Sequence, residues 1–165
     1  MVFAVGSNNG GQLGDGSDED RRSTAVQMVS PIGSGNRHVA AGGQDTVILD
    51  KNGRVYAVGS NRKGQLGDGS TGDAVRTAVQ MASVGADNVQ VAAGWSTSLV
   101  LKGSGETYAV GENNQGQLSD GSTADRSTPV QMRQFSQEIT GATSVAAGAY
   151  SSFVVAKSDV VPQLS

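Results

Sequence analysis

The chain has 165 residues, a net charge of −3, no cysteine and 24 glycines. The missing cysteine excludes disulfides and thiolate metal sites and leaves the compartment open. The mild acidity gives no electrostatic footprint for nucleic acid or for an anionic membrane.

Met1 leads straight into a motif, with no basic and apolar leader and no apolar run long enough to span a bilayer, so the cytoplasm is the favoured compartment. Residues 4–17 read AVGSNNGGQLGDGS, and the phrase returns at 57–70 as AVGSNRKGQLGDGS and at 109–122 as AVGENNQGQLSDGS. Each copy is followed by AVQM (25–28, 78–81) or PVQM (129–132), and then by VAAG (39–42, 91–94, 145–148). Gly11, Gly64 and Gly116 set a period of about 52 residues, the mark of an array in which each unit buries a face on its neighbour. The same glycines recur at Gly6, Gly59 and Gly111 and at Gly42, Gly94 and Gly148, which points to obligatory turns and close backbone approaches.

Residues 1–28 supply two strand-like runs, VFAV and TAVQM. The next unit, 29–81, is whole. TVILDKNGRVYAVG (46–59) holds two apolar runs around Asn52-Gly53, a strong hairpin signal. TAVQM (77–81) is a fourth, shorter strand with more polar content, suited to an edge. The unit 82–132 repeats the plan with VQVAAG and SLVLKGSGETYAVG. The last stretch, 133–165, offers only SVAAG and SFVVA and then the tail SDVVPQLS, where Pro162 breaks the strand pattern and speaks for a real end. No segment keeps a 3.6-residue apolar period for three turns. Four antiparallel strands per roughly 50 residues describe a β-propeller blade, so the expected fold is all-β, with a half-blade, two full blades and another half-blade.

The chemical inventory is thin. His38 is the lone histidine, in a polar loop beside Arg37. No serine-hydrolase elbow or phosphate-binding glycine loop stands between a strand and a helix. Asp15 and Asp20, Asp68 and Asp73, and Asp120 and Asp125 recur five residues apart, but these loops lack the later bidentate glutamate of a calcium site. They are expected to make tight turns, with Arg22, Arg76 and Arg126 pairing to carboxylates or carbonyls. No enzyme activity, cofactor or metal is expected.

The pattern V-Y-A-x-G-x-N-x-x-G-Q-L-G-D-G-S, then S-T-P-V-Q-M, then V-A-A-G resembles the repeat of the regulator of chromosome condensation family and covers nearly the whole chain. Val5, Val58 and Val110 stand where that family usually has tryptophan, and Asp45, Thr97 and Ser151 where it often has histidine. The resemblance implies a propeller and a binding role. It also raises two alternatives: guanine-nucleotide exchange on a small GTPase, and inhibition of an enzyme, as in bacterial proteins of this fold.

Positions that differ between copies are released from building the blade. After VAAG these are Gly43-Gln44, Trp95-Ser96 and Ala149-Tyr150; inside the N-x-x-G turn they are Asn9-Gly10, Arg62-Lys63 and Asn114-Gln115. Both are inter-strand loops on the rim, where propellers carry function. Trp95, Tyr150, Arg62, Lys63, Gln44, Asn114 and Gln115 are therefore the candidate residues for a protein partner, although Trp95 could equally fill a gap between blades. About three blades cannot close a ring. The expected outcome is a head-to-tail homodimer that exchanges half-blades into six; the alternatives are a piece of a longer array and an open stack with exposed edges.

Overall fold

The computed structural model describes residues 1–29 and 31–157; the tail with Pro162 lies outside the described residues. Among them there is no helix, and every paired strand is antiparallel. β1 (Phe3–Ser7) and β2 (Arg21–Gln27) form a two-stranded sheet. β3 (His38–Ala41), β4 (Asp45–Leu49), β5 (Val55–Asn61) and β6 (Gly72–Gln80) form a four-stranded meander in that order. β7 (Asn88–Ala93), β8 (Thr97–Lys102), β9 (Thr107–Gly111) and β10 (Arg126–Gln131) form a second. A small hairpin, β11 (Arg133–Gln134) with β12 (Gln137–Glu138), precedes the two-stranded sheet of β13 (Ala142–Ala147) and β14 (Ser152–Ala156).

The Asn52-Gly53 turn joins β4 to β5, and Asp50 fixes it. Its Oδ1 accepts the Asn52 and Arg54 amides at 2.7 and 2.9 Å. Strand pairing then sets Val47 opposite Ala57 and Ile48 opposite Tyr56. The fourth strand is longer than the sequence suggests. β6 begins at Gly72, well before TAVQM, because two register irregularities against β5 let the polar run Gly72–Arg76 stay in the ladder.

Apolar runs are buried on both faces because sheets stack on sheets. Val47, Leu49, Val91 and Val100 meet Leu66 and Met81 between the two four-stranded sheets. Leu99, Leu101 and Leu118 pack against Val145 and Ala142 on the next. Met28, Ile48, Tyr56 and Val58 join the first two-stranded sheet to the first four-stranded sheet. The leucine of each GQL motif (Leu13, Leu66, Leu118) is buried, so every repeat inserts one anchor into a shared core.

Candidate functional site

The turns that carry the candidate residues are built by a hub that the sequence shows three times but does not explain. Asn8, Asn61 and Asn113 are buried, and their Oδ1 atoms accept the Leu13, Leu66 and Leu118 amides at 3.0, 3.1 and 2.9 Å. Their Nδ2 groups donate across the loop to the carbonyls of Glu19, Ser70 and Ser122. Gln12, Gln65 and Gln117 accept the Gly10, Lys63 and Gln115 amides through Oε1 at 2.9 to 3.0 Å. These bonds brace the N-x-x-G-Q-L turn, which presents Asn9, Arg62, Asn114 and Gln115 at the surface, with Lys63 half-buried and Gly10 buried. Nothing within one copy marks the Asn and Gln residues as supports of the turn; their identity in all three copies does.

The acidic loops close the same turns. Asp15, Asp68 and Asp120 accept both the amide and the hydroxyl of Ser17, Ser70 and Ser122. Partial burial acts to raise the Asp120 carboxyl, but hydrogen bonds from Ser122 and Arg126 outweigh it and hold it at about 2. Arg22 and Arg126 pair with Asp15 and Asp120 as expected. Arg76 pairs instead with Asp18 of the preceding repeat, at 2.6 Å. It lies five residues before its methionine where Arg22 and Arg126 lie six before theirs, and a one-residue slip turns a strand side chain to the other face.

The candidate residues lie along one arc of loops. Gln44 is exposed and lies over Gly10 of the preceding turn. Trp95 is 56% exposed, and its ring leans on Gly43, where an added Cβ would come within 3.0 Å of Cδ2. It is thus both a packing element and a surface feature. Arg62, Asn114 and Gln115 are exposed. Lys63 is committed to Asp125 Oδ2 at 3.1 Å and stands 3.8 Å from Glu112 Oε1. Tyr150 meets Glu112, Asn114 and Gln115 in an open notch of about 440 Å³. Trp95 is seated on Gly43, whereas Tyr150 lies with Asn114 and Gln115 in the notch, so these two are separate stations along the rim. His38 is exposed at the start of β3, with no cluster of metal-ligating residues among the described residues.

One carboxyl stands apart. Asp45, at the position of Thr97 and Ser151 in the other units, is buried, and neither oxygen has a hydrogen-bond partner. Burial pushes it up to about 8.

The family model described as "Regulator of chromosome condensation (RCC1) repeat" matches residues 52–101 and 104–155. The chain is 36% identical over 121 residues to the Protein RCC2 homolog of Xenopus laevis, covering 73% of this chain and 23% of that protein. It is 36% identical over 119 residues to the secretion-regulating guanine nucleotide exchange factor of Bos taurus, covering 71% of this chain and 25% of that one. Yeast RCC1 (Prp20), solved bound to Kap60, superposes with a TM-score of 0.82 at 21% identity, over 95% of this chain and 38% of that one. The chain thus spans about a quarter of the length of these two curated relatives.

Proposed function

The chain belongs to the regulator of chromosome condensation repeat family, and from that premise we propose that it is a non-enzymatic interaction module whose rim turns form a protein-binding surface. One observation carries the reading: the Asn and Gln hub is the same and hydrogen-bonded in all three copies, while the two-residue turns it holds read Asn9-Gly10, Arg62-Lys63 and Asn114-Gln115. Partners captured by cross-linking and identified by mass spectrometry, then purified, should bind more weakly to Arg62→Ala and Trp95→Ala. Unchanged affinity in both variants would overturn the reading. A second reading, accelerated nucleotide release from a small GTPase, is favoured by the name of the Bos taurus relative. A nucleotide-release assay with purified GTPases separates the two.

The open sheets form part of the same proposal: β13–β14 of one copy is completed by β1–β2 of another, giving six blades from two chains. Gly59 and Gly111 press on the Gln44 and Ser96 carbonyls, where an added Cβ would come within 2.3 and 2.2 Å, while Gly6 has nothing within 4 Å. Likewise the Gly64 position faces Ser127 Cα at 2.6 Å, and Gly116 faces nothing within 4 Å. Both vacancies match the same absent neighbour, with the Tyr150 carbonyl against Gly6 and Ser23 against Gly116. Transferring the β4–β5 register places Ser152 opposite Val5, Phe153 opposite Ala4 and Val154 opposite Phe3. Light scattering should give twice the 16.7 kDa chain mass. A monomer with one cooperative unfolding transition would overturn the exchange.

A further inference from the structure

Two positions at which the third repeat departs from the others meet in one notch. The residue after the AVG motif is Ser7, Ser60 and then Glu112; the second residue after VAAG is Gln44, Ser96 and then Tyr150. Together with Asn114 and Gln115, these two departures line the 440 Å³ notch between the second four-stranded sheet and the loop before β14. Glu112 is only 8% exposed, yet it carries a carboxylate where the other copies carry a hydroxyl. Its Oε1 accepts Asn114 Nδ2 at 3.0 Å and stands 3.8 Å from Lys63 Nζ. Lys63 lies closer to Asp125, at 3.1 Å, so one ammonium is divided between two carboxylates and the notch keeps an excess of negative charge. Tyr150, 56% exposed, places an aromatic ring at the mouth. A carboxylate at the base, amide oxygens on the wall and a ring at the entrance suit a cationic side chain and repel an anion.

We propose that this notch receives a lysine or arginine side chain from a basic segment of a protein partner. Ser7 with Gln44, and Ser60 with Ser96, bring no charge to the corresponding places, so selectivity for a cation resides in the third repeat. The proposal rests on the rim being an interaction surface, and its test is independent of any natural partner.

The test is a titration of ¹⁵N-labelled protein with acetyl-tetralysine amide, with acetyl-tetraglutamate amide as control. The lysine peptide should shift the amides of Glu112, Asn114, Gln115 and Tyr150, and the glutamate peptide should not. Glu112→Ser and Tyr150→Gln install the residues of sibling repeats and so keep the fold. They should weaken binding about tenfold and about fivefold, while Tyr150→Phe, which keeps the ring, should bind like wild type. Asp73→Asn removes an exposed charge outside the notch and should have little effect. Equal weakening by Asp73→Asn, or shifts scattered over the acidic surface, would overturn the notch. If tetralysine fails there while Trp95→Ala still weakens a protein partner, the notch falls and the rim reading stands.

Discussion

The inner and outer sheets are spelled alike and buried differently. β4 and β5 are buried at every residue. β1 and β14 use the same valine, alanine and aromatic vocabulary but leave Phe3 63% and Phe153 59% exposed. Burial in this chain is therefore conferred by the neighbouring repeat and not by the residue, as expected when each unit can cover only half of its own apolar surface. The same holds for the backbone: Gly59, at φ +118° against the Gln44 carbonyl, and Gly6, at φ +113° against nothing, share one conformation in two environments.

That contrast can be broken by a single methyl group. Gly59→Ala combines left-handed strain with a collision against fixed backbone and should cost about 4 kcal/mol, read as a lower denaturation midpoint. Gly6→Ala should cost only the conformational part, about 1–2 kcal/mol, in an isolated chain. If half-blades are exchanged, Gly6→Ala meets the Tyr150 carbonyl of the second copy and shifts the assembly to monomer. Equal destabilisation of both variants in a monomeric protein would remove the distinction between inner and outer sheets.

Asp45 sharpens the comparison from inside the core. Thr97, its counterpart in the second four-stranded sheet, donates to the Glu112 carbonyl at 3.3 Å, whereas Asp45 finds no partner. Its carboxyl rises from 3.8 to about 8 through burial, so the folded state keeps a proton that the unfolded state releases. Stability from this group is complete below pH 4 and falls by roughly 1.4 kcal/mol per unit as pH rises towards 8. Asp120, lowered to about 2, acts oppositely: its contribution is present above pH 4 and is lost on further acidification. Asp45→Thr should flatten the thermal-stability profile between pH 5 and 8 and gain about 4 kcal/mol at pH 7. An unchanged slope would show that another group carries the pH dependence.

The strands, the Asn52-Gly53 turn and the repeat period were legible because each follows from local chemistry written three times. Three features were not. Asp45 reads as one more polar residue near a turn, and only the stacking of β7 on β4 encloses it. Arg76 stands within one residue of the place of Arg22 and Arg126 in the repeat, but that slip changes its face and its partner. The β11–β12 hairpin, with Phe135 exposed at φ +58°, is encoded by the polar run Arg133–Glu138, which carries no alternation to announce it. The rim stations were legible as variable positions. Their separation was not, since which turns share a notch depends on how successive sheets stack.

Trp95 asks how far the rim differs from the core. A buried tryptophan costs roughly 3–5 kcal/mol on truncation, but this residue is 56% exposed, so Trp95→Ala should lower stability by about 1–2 kcal/mol. Loss of partner affinity of about 2 kcal/mol, measured by calorimetry, would make it a hot spot. A stability loss in the buried range with unchanged affinity would assign it to packing on Gly43 alone.

The smallest effect belongs to Lys63. Its ammonium joins the turn of the second repeat to Asp125 of the third, but the side chains are 41% and 37% exposed, so solvent screens the pair. Lys63→Ala should therefore cost no more than about 0.5 kcal/mol, and a double-mutant cycle with Asp125→Ala should return a coupling of that size, shrinking in salt. Asp125 has a further duty, since its Oδ1 accepts the Asn113 amide at 2.8 Å, where in the first repeat the Asp20 carbonyl serves Asn8. Asp125→Ala alone should thus cost more than Lys63→Ala, by the one hydrogen bond that a backbone group supplies in the first repeat. Equal single costs, or a coupling above 1 kcal/mol that persists in salt, would show that the pair holds the two repeats together.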